Sequence, residues 1–144
     1  MLHFESLGLI EAEKGIAAGI QTAKALGKAM AFAVADSAGE MIATARMDGA
    51  NPRILRHSIR KAYTAALMCR HTLRFKRDLA EREGGLDQWG DPNLTTLPGG
   101  LVVQSGVQFV GGVGAGGGGP DDETVARAMV KAMGFTVLED RRSL

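Results

Sequence analysis

Ala45-Arg46-Met47-Asp48-Gly49-Ala50 and, one helical stretch later, Lys61-Ala62-Tyr63-Thr64-Ala65-Ala66 decide how this chain is read. The first string sets an arginine and an aspartate at the end of an apolar stretch, where the pattern turns from strand to a helix beginning near Asn51. A strand end that meets a helix start gathers orphan backbone N–H groups, and ligands often bind there. Upstream, Ala31–Ala35 and Met41–Ala45 flank Asp36-Ser37-Ala38-Gly39-Glu40, whose glycine suits a tight connection, so the two runs predict an antiparallel hairpin. Further back, Leu9, Ile10, Ile16, Ile20, Ala23 and Leu26 predict one amphipathic helix over 6–29, closed by Gly27-Lys28.

Downstream, residues 51–74 read as one long helix. Leu55, Ser58, Ile59, Ala62, Ala65, Ala66, Cys69 and Leu73 share a face, and Arg53, Arg56, His57, Arg60, Thr64, His71 and Arg74 share the opposite one. The helix then continues or restarts to about Arg82 and gives way to a loop through Trp89 to Pro98. A loop of that length in a small domain serves a function or packs on a partner. Leu101–Gln104 and Val107–Val110 straddle Ser105-Gly106 as a second hairpin, and Asp121-Asp122-Glu123 open a last helix to about Met133, with acidic residues at the positive end of its dipole. Residues 139–144 read as a frayed tail. Helix, hairpin, helix, hairpin, helix makes one α+β domain over 1–144, an antiparallel sheet with helices packed on it.

The order and spacing of four strings resemble the GlcG/HbpS-like family, also called the haem-degrading-domain family, across nearly the whole chain. They are the Arg46–Asp48 string, Lys61-Ala62-Tyr63-Thr64-Ala65, Leu97-Pro98-Gly99-Gly100 and the glycine run Gly111–Gly119. The resemblance implies a profilin-like central antiparallel sheet flanked by helices, oligomeric assembly, and a small-molecule ligand for which haem is the candidate cofactor. The family pattern more often reads Gly-Val-Ser-Gly-Gly where this chain has Val113-Gly114-Ala115-Gly116-Gly117, so a role that needs that serine hydroxyl is absent here.

The glycine run contains a Gly-x-Gly-x-x-Gly spacing at Gly112, Gly114 and Gly117, but a dinucleotide fingerprint is rejected. Its strand belongs to a hairpin and not to a parallel βαβ unit, and Asp121, Asp122 and Glu123 would repel a phosphate at the following helix start. Two readings of the run remain. Glycines there let the strand end pass close to the Arg46 and Asn51 region, and exposed N–H groups of a glycine loop bind a small carboxylate.

With 144 residues, 45% hydrophobic and 23% charged, the chain builds one core. A net charge of +1 supplies no global attraction to nucleic acid or membrane, and no stretch approaches the roughly 20 apolar residues of a spanning helix. Met1-Leu2-His3-Phe4-Glu5 has no basic start leading into an apolar segment, so a cytoplasmic protein is expected. A small chain with an Ala-rich helix face and an exposed loop at Trp89 is expected to form a homo-oligomer. The single cysteine, Cys69, reads as a small buried core residue.

The candidate ligand-binding residues are Arg46, Asp48, Lys61, Thr64, Gly99, Gly100, Gly114 and Gly116. Arginine offers a planar fork to a carboxylate, and Tyr63 and Thr64 add hydroxyls beside Lys61. His57 and His71 stand 71 − 57 = 14 residues apart, roughly 21 Å along one helix, so they share no metal ion and no metal site is expected. His3, His57 and His71 are each candidates for a lone axial haem ligand, and the absence of Cys-x-x-Cys-His excludes covalent haem. Two functions therefore stand side by side. One is a small-molecule-binding protein, as the resemblance implies. The other is a small enzyme (tautomerase, hydratase or lyase) acting on an organic carboxylate held by Arg46 and the glycine-rich loop, with His57, Lys61 or Glu123 as the catalytic candidates moving a proton.

Overall fold

The computed structural model describes residues 1–139. In order the elements are α1 (Leu9–Ala25), β1 (Ala31–Ala35), β2 (Met41–Arg46), α2 (Pro52–Met68), α3 (Thr72–Ala80), β3 (Gly100–Ser105), β4 (Gln108–Gly116) and α4 (Asp122–Ala132), with single 3-10 turns at Leu86–Trp89 and Gly119–Asp121. The four strands form one antiparallel sheet in the order β2-β1-β4-β3. The two hairpins are joined through β1 and β4, with Ala31 opposite Gly116 and Ala35 opposite Gly112. The single α+β domain read from the sequence is the one observed. No described helix is long and apolar enough to cross a membrane.

The sheet buries its two faces differently. On one, Phe32, Val34, Leu101, Val103 and Val113 meet Val125, Met129 and Val130 of α4 and Ala12 and Ala23 of α1, forming the main core. Fully burying an aromatic such as Phe32 contributes about 2–3 kcal/mol. On the other face α2 lies directly on Ala33, Ala35 and the glycines of β4. A Cβ on Gly114 would strike the Ser58 carbonyl and stand 2.9 Å from the Ala62 nitrogen, so no side chain fits between this strand and this helix.

That packing corrects the reading of the glycine run. Gly111–Gly116 is not a loop but the second half of β4, bonded to β1 on one side and β3 on the other. Glycine is a poor strand former, and the sequence reading lets the Val107–Val110 strand run into the glycines while treating the run itself as a loop; close approach of α2 outweighs the propensity. The glycines admit α2 rather than the Arg46 and Asn51 region, with Gly116 beside Ser58 and Ile54.

Two further boundaries differ from the sequence reading. Residues 6–8 are not helical: Leu7 is buried and its N–H donates to the Val110 carbonyl, 2.9 Å. The long second helix is two helices. Cys69 caps α2 in the left-handed conformation, φ 53°, and the chain restarts as α3 after His71. Cys69 is exposed at this corner, not a core residue, whereas Thr64 and His71, which helical periodicity puts on the polar face, are buried. The expected fray at 140–144 lies outside the described residues, and Glu139 is ion-paired with Arg127, 2.6 Å.

Candidate functional site

Asn51 starts α2 as expected, its side-chain oxygen accepting the Arg53 N–H at 3.0 Å with Pro52 in the first helical position. From that start, Arg53, Ile54, His57 and Lys61 recur at helical spacing and line one side of a cavity of about 530 Å³. The other walls are the end of β4 at Gly116 and Gly117, the turn at Gly119 and Pro120, the first turn of α4 at Asp122 and Glu123, and Leu73, Leu97 and Pro98. His57, Lys61, Glu123 and Gly116, four of the residues singled out in the sequence, are thus gathered in one place.

Lys61 is buried. Its ammonium donates to the Ala115 carbonyl at 2.8 Å and to Asp122 Oδ2 at 3.0 Å, while Asp122 Oδ1 accepts the Gly118 N–H at 2.7 Å. An ammonium has three donors, so one is left beyond these two bonds. Gly99 lies against this pair: a Cβ there would stand 2.9 Å from the Asp122 Cβ and 3.1 Å from Lys61 Nζ, and its φ of +108° suits glycine alone. Gly100 is wedged against the Lys61 carbonyl, and its N–H donates to Thr72 Oγ1 at 3.0 Å. Lys28 braces the same turn, donating to the Gly118 carbonyl at 2.8 Å and to Asp121 at 2.6 Å.

The other singled-out residues lie elsewhere. Arg46 ends β2 and Asp48 follows in the next turn, both exposed and neither lining the cavity. Gly114 is sealed beneath α2, and its backbone groups sit between two strands rather than facing a ligand. Thr64 is buried and accepts the Thr95 N–H at 3.0 Å. Tyr63 donates its phenolic hydrogen to Asp91 at 2.5 Å; this hydrogen bond, then burial and the Asp91 charge, hold the phenol above its ordinary pKa.

The histidines separate in the same way. His71 is spent on structure: Nδ1 accepts the Val102 N–H at 3.1 Å and Nε2 faces the Leu138 carbonyl at 2.5 Å, which assigns the hydrogen to Nε2. His3 is exposed in the segment before α1. The partly exposed His57 lines the cavity and has no hydrogen-bond or ion-pair partner among the described residues. Sequence reasoning missed Asp122 as the partner of Lys61, Arg53 as a lining residue and the Leu97–Pro98 wall, since no local spacing relates these positions to α2.

The family model described as haem degrading protein HbpS-like matches residues 7–131. The chain belongs to the HbpS-like family. Among its relatives, protein GlcG of Escherichia coli K12 is 37% identical over 99 residues, covering 69% of this chain and 72% of GlcG. The fold of a Streptomyces reticuli HbpS double mutant superimposes with a TM-score of 0.84 at 30% identity, over 93% of this chain and 91% of that one. A PduOC–haem complex superimposes with a TM-score of 0.83 over 93% of this chain and 99% of that chain; at 22% identity it shows the shared fold.

Proposed function

We propose that this HbpS-like protein binds haem in the cavity between α2, α4 and the Leu97–Pro98 wall, where a ring nitrogen of His57 would hold the iron. The observation that carries this reading is the division among the histidines: His71 has both ring nitrogens engaged, whereas His57 faces the cavity with neither engaged. The donor set fits the group. Ile54, Leu73, Leu97 and Pro98 offer apolar wall to a macrocycle, Arg53 is placed for a propionate, and Lys61 has a donor left over for a second carboxylate. A volume of about 530 Å³ lies within the range of small-molecule sites. When bound, haem supplies the iron; the chain supplies the nitrogen, the wall and the cations. Haem binding by a protein of this fold, in the PduOC complex, adds support from a distant relative.

Titration with haem should give a saturable Soret shift at one haem per chain. His57→Ala should alter that spectrum, and His3→Ala should leave it unchanged. Arg53→Ala should weaken binding about tenfold, the loss of one charge-assisted hydrogen bond. A spectrum indifferent to His57→Ala would overturn the assignment.

A further inference from the structure

The two edges of the sheet are finished in opposite ways. At β3 the outward backbone groups are occupied: Gly100 N–H donates to Thr72 Oγ1 and Val102 N–H to His71 Nδ1, so the corner between α2 and α3 lies along this edge as a cover. At β2, the other edge, no backbone group from Met41 to Arg46 has a partner among the described residues apart from those it shares with β1. Open edges invite pairing, and natural sequences commonly block them with charges or proline within the strand. Met41-Ile42-Ala43-Thr44-Ala45 has neither. The irregularity in the β1–β2 ladder falls at the Met41 end, which leaves Ala43–Arg46 regular and available.

The charges that do occur stand at the two ends of this strand. Glu40 is exposed just before it and Arg46 is exposed at its close, and the Arg46 guanidinium has no partner among the described residues. Two such strands laid parallel would set arginine beside arginine and glutamate beside glutamate. Laid antiparallel, each Arg46 end meets the Glu40 end of the other strand, and the long side chains tolerate a register shift. The edge is therefore complementary to itself in the antiparallel sense, which is the requirement of an isologous two-fold contact.

We infer that β2 is a dimerisation edge: a second copy of this chain adds its own β2 antiparallel to it, joining two four-stranded sheets into one of eight strands with an Arg46–Glu40 contact at each end. Alanines at 43 and 45 keep the flanking surface low, so the backbones approach without obstruction. The inference is independent of what occupies the cavity.

Light scattering on the full chain at micromolar concentration should give a dimer or a multiple of dimers. Arg46→Glu and Glu40→Arg should each weaken self-association by about tenfold or more, and the doubly reversed chain should recover it, because the two ends are again opposite in sign. Circular dichroism would show that the variants keep the fold. Hydrogen exchange on the unmodified chain supplies a readout that needs no variant: amides across 41–46 should be uniformly protected, where an open edge leaves alternate ones fast. A monomer, an assembly indifferent to both single reversals, or fast alternate amides in β2 would each overturn the dimer edge; pairing with an unrelated extended peptide by a monomeric chain would show the edge to be open for another partner.

Discussion

Lys61 and Asp122 are separated by 61 positions and meet at 3.0 Å, each mostly removed from water. A buried charge without its partner costs far more than the pair contributes, so Lys61→Met should destabilise the fold by on the order of 3 kcal/mol. Adding Asp122→Asn should recover part of that loss. The amide removes the stranded carboxylate while its oxygen still accepts the Gly118 N–H. Urea denaturation of the single and double variants measures both, and a double variant no more stable than Lys61→Met would show that the pair is not what Lys61 maintains. The lysine was visible in the sequence as part of a recognisable string, and its partner was not. Asp122 looks like an ordinary acidic residue in a helix's first turn, which it also is.

At the scale of elements, the corner between α2 and α3 shows how a small displacement from regular periodicity reassigns residues. Cys69 in the left-handed conformation ends α2 and turns the chain by enough to bury His71 and Thr72 against β3. His71 is therefore a cap on a sheet edge. His71→Ala should leave the Val102 N–H and the Leu138 carbonyl unsatisfied and cost about 1–3 kcal/mol, with faster exchange at the Val102 amide as the specific signature. Protection at Val102 that survives the substitution would mean another group covers the edge. Periodicity could not have shown this, because a 3.6-residue repeat carried straight through Cys69 leaves His71 on the solvent side.

For the whole molecule, the response to acid follows from the same corner. Asp78 is pulled two ways: burial raises its pKa, and hydrogen bonds and charge from Arg74 and Arg70 outweigh burial and hold it below the usual carboxylate range. A folded pKa below the unfolded value of about 3.9 means that the unfolded chain binds the proton more readily. The contribution is therefore complete above roughly pH 4 and is lost as pH falls through the folded pKa. Its size is on the order of 1 kcal/mol for a partly exposed cluster. Asp78→Asn should lower the melting temperature at pH 7 and narrow the difference between pH 7 and pH 3. An unchanged difference would place the acid sensitivity in other carboxylates.

What the sequence determined alone was set by interactions between near neighbours. Two apolar runs flanking Asp36–Glu40 mark the first hairpin, Asn51-Pro52 starts α2, acidic residues open α4, and the order of these elements yields an α+β sheet. The ends of elements and the site depended on distant contacts. Gly111–Gly116 becomes strand because α2 must lie within contact of its backbone, a demand made by Ser58 and Ala62 from across the chain. The cavity forms where the first turns of α2 and α4 converge on the end of β4, and convergence is a property of packing that no spacing encodes. Arg46 and Asp48, the most conspicuous pair in the sequence, lie outside that convergence because β1 stands between β2 and β4, whereas the less conspicuous Arg53 and His57 lie within it.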